Sequence, residues 1–159
     1  KYGFKKLTLD DPLNKSSATH SYDLPKFYSS KTCFEIVSET CVAHNKLCVT
    51  EKTFKSILSK NVFLLLGNPY SLNWLKSLGF QTFSDIIDEN YDKEEIFYKR
   101  FLMLFNEVKK LCSLDVESLH KKLKPLNEIV EYNYNHFLNT TWDFNLSQNL
   151  HSHMDKHYG

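Results

Sequence analysis

Arginine is almost missing from this chain. Lys and Arg together number 20 in 159 residues, and Arg100 is the only arginine among them. Bidentate guanidinium clamps on phosphate are therefore nearly unavailable. Net charge is missing too. The 20 basic and 19 acidic residues leave a formal charge of +1, so no bulk attraction to nucleic acid or an anionic membrane is expected. Long apolar runs are absent: the longest, Val62–Leu66, falls far short of the roughly 20 residues that a membrane span needs. Cys33, Cys41, Cys48 and Cys112 show no CxxC spacing, so zinc is not expected. The plain reading of these cysteines is free buried thiols in a reducing compartment. A disulfide between Cys41 and Cys48 across a loop stays open, with no sequence signal for it. The chain begins KYGFKK, with neither an initiator Met nor an apolar signal core. A fragment, a processed product, or the ordered part of something longer is expected, with no signal peptide and a cytoplasmic or virion-associated location.

What is present is an ordinary globular balance, 42% hydrophobic and 25% charged, with aromatics high at 14%. The length suits one domain with a real core. Residues 1–31 are polar, without a sustained period, and read as an irregular arm that holds at most one short strand. Thr32–Ser38 is a near-continuous apolar run, as a buried parallel strand would be. After a connection from Glu39 to Val49, Thr50 is a good N-cap, and Glu51 follows in the first turn, where the helix dipole favours an acid. Phe54, Ile57 and Leu58 then share one helix face, and Asn61 is the expected stop. Val62–Leu66 is the strongest strand signal, broken by Gly67-Asn68-Pro69. Ser71 is expected to cap a helix carrying Leu72, Leu75 and Leu78, which Gly79 ends. A short third strand is expected at Phe80–Phe83, then one helical turn from Ser84 to Asp88.

Asp92-Lys93-Glu94-Glu95 reads as a capping box opening a long helix to about Leu111. Ser113 is expected to cap the next helix, and Pro125 to stand at N1 of the last. The fold class expected is α/β. It would have a small Rossmann-like parallel sheet with flanking helices in residues 32–90, a helical extension over 91–140 and a polar tail over 141–159. Two or three strands do not make a stable open sheet alone. The arm, or a missing N-terminal domain or partner chain, is expected to complete it.

Two other patterns have plain readings. Phe97, Phe101, Phe105, Tyr132, Tyr134 and Phe137 are interleaved with lysines, as in some surfaces for single-stranded nucleic acid. Their helical spacing favours helix core instead, and no nucleic-acid partner is expected. His151, His153 and His157 have a spacing that a transition metal can use on a helix. The tail lacks periodicity, and no metal site is expected.

Chemistry is concentrated between Phe34 and Phe83, where acidic and basic side chains stand at junctions of strand, loop and helix. Open α/β sheets bind ligands at such junctions. The order Phe34, Ile36-Val37, Glu39-Thr40, a loop, Thr50-Glu51-Lys52, Phe54-Lys55 and an apolar strand ending in Gly67 resembles the nucleotide-sugar-binding half of GT-B glycosyltransferases. It is most similar to the inverting fucosyltransferase branch, whose motif runs F-E-N, a short loop, I-T-E-K-L, an apolar strand and G. Glu39-Thr40 stands where that branch has Glu-Asn, and Val49-Thr50-Glu51-Lys52 where it has Ile-Thr-Glu-Lys. Leu78-Gly79-Phe80, Thr82-Phe83 and Asp88–Asp92 resemble phage and viral proteins carrying the same core, with Asn90 a departure from their D-E-S-Y-D.

The resemblance implies a donor site for a nucleotide-diphosphate sugar, built from Glu39, Thr50, Glu51, Lys52 and Lys55. Glu51 would accept the ribose hydroxyls. Lys52 would neutralise the diphosphate at the helix N-terminus, with Lys55 assisting. Glu39 would lie near the donor sugar. The family needs no divalent metal and no further cofactor. The family's upstream diphosphate-gripping Arg is missing, and residues 1–31 are too few for the acceptor-binding half. No catalytic residue can be assigned, and the chain alone is expected to be incomplete as an enzyme. The competing expectation is a non-catalytic structural or interaction module, such as a virion component, that retains the fold.

Overall fold

The computed structural model describes residues 32–42 and 47–140. The expected arm over 1–31 and the tail with its histidines lie outside the described residues. The chain is mixed α/β: a small two-stranded parallel sheet, flanking helices, and a C-terminal part that is all helix. Strand β1 (Glu35–Ser38) pairs in parallel with β2 (Phe63–Leu66), with Ile36 opposite Leu64 and Val37 opposite Leu65. Helix α1 (Glu51–Leu58) connects them. All four residues of β2 are buried, as its apolar sequence requires of a strand covered on both faces.

Thr50 caps α1 in extended conformation, its side chain accepting from the Lys52 N–H. The expected stop at Asn61 is displaced by one residue. Lys60 takes the left-handed conformation at φ 56°, while the Lys60 and Asn61 N–H groups bond back to the Ile57 and Ser56 carbonyls. The Asn61 amide is used elsewhere, donating to Glu35 Oε1 at 2.6 Å.

Helix α2 (Ser71–Ser77) departs from its expected cap. Ser71 is its first helical residue, and its hydroxyl donates back to the Asn68 carbonyl at 2.7 Å. Asp92 caps the helix from a distance: Oδ1 accepts from Leu72 N–H at 3.0 Å and Oδ2 from Asn73 N–H at 3.3 Å. Asp92 therefore opens no capping box of its own. It lies in a 3-10 turn (Asn90–Lys93), and the long helix α3 begins four residues after that turn begins to close, spanning Phe97–Cys112. Gly79 ends α2 as expected, with φ +90°. The expected strand at Phe80–Phe83 does not form. The Asn133 side chain takes the strand partner's place, accepting from Gln81 N–H and donating to the Gln81 carbonyl, both at 2.8 Å. Ser84–Asp88 closes as a turn, with the Ile86 and Ile87 N–H groups on the Phe83 carbonyl.

Asp115, not Ser113, caps α4 (Val116–Leu123), accepting from Ser118 N–H at 2.9 Å. Pro125 lies in a 3-10 turn (Lys124–Leu126) before α5 (Asn127–Asn139), not at N1 of α5 itself. Helix α5 packs on α1 through Phe54 and Phe137, whose ring centroids are 5.6 Å apart.

The aromatic reading needs a correction on α3. That helix buries Arg100, Leu104, Val108 and Leu111. Phe97, Phe101 and Phe105 lie one position further round and are 38%, 39% and 42% exposed. Tyr132 is also exposed, while Tyr134 and Phe137 are half-buried.

Burial holds the carboxyls of Glu89 and Asp92 above the usual carboxylate range, against opposing hydrogen bonds from Thr82 and Phe83 N–H, and from Leu72 and Asn73 N–H. Each group binds its proton more tightly folded than unfolded. Its contribution to stability is therefore full below the ordinary carboxylate pKa and is lost as pH rises through the raised value. Urea midpoints taken from about pH 4 to about pH 7 should show wild type losing ground to a Glu89→Gln/Asp92→Asn variant as pH rises. A wild-type advantage that grows with pH would contradict this assignment.

Candidate functional site

The residues expected to bind a donor meet at the carboxyl end of β1, where α1 begins. Glu39 immediately follows β1, and its N–H extends the ladder to the Leu66 carbonyl at 3.0 Å. Its side chain turns into the protein and is only 3% exposed. Oε1 accepts from Thr50 N–H at 2.9 Å and from the Thr53 hydroxyl at 2.6 Å, while Oε2 accepts from the Thr50 hydroxyl at 2.5 Å. The carboxylate thus ties the end of β1 to the first turn of α1, where the helix dipole favours a negative charge. Its oxygens are taken up by the protein's own donors.

Glu51 and Lys52 lie on the outside. Their charged atoms are 3.6 Å apart, and each side chain is nearly half exposed. Burial works against the ionised form of Glu51. Its own backbone N–H and the Lys52 ammonium outweigh that and hold its carboxyl below the usual range. Lys52 Nζ donates to Thr40 Oγ1 at 2.9 Å and to Thr50 Oγ1 at 3.3 Å. Lys55, one turn on, is half-buried and has no side-chain hydrogen bond or ion pair to the described residues. The structure therefore brings Glu39, Thr50, Glu51 and Lys52 together and leaves Lys55 on the helix flank.

Two residues at this end of the sheet were missed as structural organisers. Asn68, after β2, spans the segment between β1 and α1: its Oδ1 accepts from Cys48 N–H at 2.9 Å, and its Nδ2 donates to the Cys41 carbonyl at 2.6 Å. Arg100, 1% exposed, reaches from α3 to the same place. Its guanidinium donates to four carbonyls: Gly67 at 3.0 Å, Glu94 at 2.6 Å, Glu95 at 3.2 Å and Val42 at 2.5 Å. The sequence signal for Arg100 was its place in the stripe with Leu104, Val108 and Leu111.

The electrostatics suit a diphosphate poorly. Two carboxylates, Glu39 and Glu51, already lie at the start of α1, with Lys52 as the ammonium beside them. A diphosphate would meet like charge where the resemblance needs a cationic grip. The exposed Glu51 carboxylate can still accept from the vicinal hydroxyls of a polar ligand. No cluster of three or more His, Cys, Asp or Glu among the described residues could hold a metal ion. No helix among the described residues is long and apolar enough to cross a membrane.

A second surface lies on the flank of α3. The Phe101 and Phe105 rings are stacked with centroids 6.0 Å apart, and Phe97 follows at 6.4 Å from Phe101. Lys109 Nζ sits 5.0 Å over the Phe105 ring. The opposite flank of α3 carries Glu107, which accepts from Asp88 N–H in the segment beyond β2. The aromatic flank therefore looks away from Asp88; on β1, Ile36 is 52% exposed and pairs with the buried Leu64.

Comparison of the chain with protein-family models, with curated proteins and with solved structures finds no match.

Proposed function

We propose that this chain is a non-catalytic interaction module that receives an extended, apolar segment of a partner chain along the open edge of β1. The exposed stripe of Phe97, Phe101 and Phe105, together with the exposed Ile36 on β1, carries this reading. Glu35 and Glu39 direct their N–H groups to β2, so the alternate residues Ile36 and Ser38 direct theirs outward, where no described residue meets them. An added strand is the conformation that satisfies such an edge. Apolar side chains on it would cover the aromatic stripe, and the Lys109 ammonium at the rim favours an acidic residue alongside. The Rossmann-like character expected for residues 32–90 fits this reading, because it requires further strands beside β1.

The dye 1-anilinonaphthalene-8-sulfonate tests the surface. The full chain should sediment as a monomer and enhance the dye's fluorescence. Phe101→Lys and Phe105→Lys should remove most of that enhancement while leaving the circular dichroism unchanged. A wild-type chain that fails to bind the dye would mean that its own remaining residues cover the stripe. A dimer broken by Phe101→Lys would mean that a second copy does. Either result overturns the proposal of a separate partner.

The nucleotide-sugar reading remains the second, favoured by the exposed Glu51–Lys52 pair at the start of α1. GDP- and UDP-sugars at about 1 mM should leave the thermal midpoint unmoved if the chain is not a donor-binding half, since a ligand binds the folded state only by stabilising it. A rise that Glu51→Ala abolishes would reverse the order of the two readings.

A further inference from the structure

We propose that Cys41 and Cys48 form a redox-active dithiol, a modification site that low-molecular-weight disulfides convert to an internal disulfide and that trivalent arsenicals bridge. Both residues are free and half-buried, and they lie on the two sides of the connection between β1 and α1. One carboxamide holds the two sides together, since Asn68 donates to the Cys41 carbonyl and accepts from the Cys48 N–H. The two backbones are thus spaced by a single amide group, and the Cys41 thiol is a near neighbour of the Cys48 thiol. Arg100 adds a second anchor through the Val42 carbonyl. A disulfide requires two cysteines with a short Cβ separation, and this clamp holds their backbone segments side by side before any bond forms.

The chemistry balances with a small disulfide such as oxidised glutathione. One protein thiolate attacks a glutathione sulfur, forms a mixed disulfide and releases one reduced glutathione. The second protein thiol loses its proton and attacks the protein sulfur of that mixed disulfide, releasing a second reduced glutathione. Two protein thiols are oxidised and one glutathione disulfide is reduced. Burial, reinforced by the neighbouring Cys41 thiol and the Glu39 carboxylate, raises the Cys48 thiol above its ordinary value. Either thiol can enter, and the other then resolves the mixed disulfide. The bond would fix both ends of the segment whose Glu39–Thr50 and Val42–Arg100 contacts organise the start of α1.

The test is made on the full chain in glutathione buffers of rising oxidised fraction. Maleimide labelling should show Cys41 and Cys48 lost together, with the intact mass lower by two hydrogens. Trypsin cuts after Lys31, Lys46 and Lys52, so the bond would join peptide 32–46 to peptide 47–52. Fragmentation then separates Cys41 from Cys33 in the first peptide. In Cys41→Ser and in Cys48→Ser, a glutathione adduct should persist on the remaining thiol. Oxidation should also raise the thermal midpoint, reversibly on adding dithiothreitol.

Phenylarsine oxide provides a measurement that needs no variant. Condensing with two thiols and losing water, it should protect both cysteines from maleimide. 2,3-Dimercaptopropanol should release it where 2-mercaptoethanol at equal thiol concentration does not. The proposal is overturned if wild type accumulates the same glutathione adduct as Cys48→Ser. It is also overturned if the bond that forms involves Cys33 or Cys112, or if the arsenical protects neither thiol.

Discussion

Arg100→Ala is expected to cost the fold about 4 kcal/mol or more, a large share of the roughly 5–15 kcal/mol that stabilises a typical domain. The guanidinium is fully buried and joins three segments: Val42 after β1, Gly67 after β2, and Glu94 with Glu95 ahead of α3. Removing it leaves those carbonyls without donors in a place that water does not reach, and it opens a cavity as well. Arg100→Met fills much of the volume and still strands the carbonyls, so about 3 kcal/mol is expected. Arg100→Lys keeps a charge but not the planar fork. Donors on one tetrahedral nitrogen cannot reach carbonyls spread along a guanidinium plane, and about 2–3 kcal/mol should be lost. Urea unfolding of the three variants measures this order. If all three lie within about 1 kcal/mol of wild type, the guanidinium is not the tie that its contacts describe.

That one residue illustrates what was legible in the sequence. The scarcity of arginine was read as a missing phosphate grip, while the arginine present stands in the same helical stripe as Leu104, Val108 and Leu111. Along α3, apolar residues occupy two adjoining faces, and a helical period does not say which of them the core takes. Phe97, Phe101 and Phe105 therefore read as core and turned out to be surface.

Some signals that act within a few residues were read correctly. The apolar runs of β1 and β2, the Thr50 cap, the acid at Glu51 and the glycine that ends α2 all depend on neighbours in the chain. Near neighbours decided two of the misses, since Asp115 rather than Ser113 caps α4 and Pro125 precedes α5, but others depend on partners far away. Asp92 caps a helix that ended before it, and Asn133 stands in for a strand beside Gln81. Tertiary partners override local preference in both places, and no period or motif records them. The candidate site divides in the same way. The positions of Thr50, Glu51 and Lys52 followed from local pattern, but where the Glu39 carboxylate points did not.

Glu39 is therefore the residue on which the structural and ligand readings differ most. Glu39→Ala is expected to cost about 3 kcal/mol, because it leaves the Thr50 N–H and the Thr50 and Thr53 hydroxyls without their acceptor near the end of β1. Glu39→Gln keeps one oxygen for Thr50 N–H and Thr53, and lets the Thr50 hydroxyl turn to accept from the new amide. About 1 kcal/mol should be lost there. Glu51→Ala, at the exposed first position of the same helix, should cost only about 0.3–1 kcal/mol. Urea unfolding gives the order, and amide exchange supplies the location: in Glu39→Ala, protection should fall first in the opening turns of α1 and at the end of β1. A carboxylate kept for a sugar would behave in the opposite way. Its removal would leave stability within about 0.5 kcal/mol of wild type and would show only when a nucleotide sugar is added. The three short hydrogen bonds that hold Glu39 inside the fold require the first result.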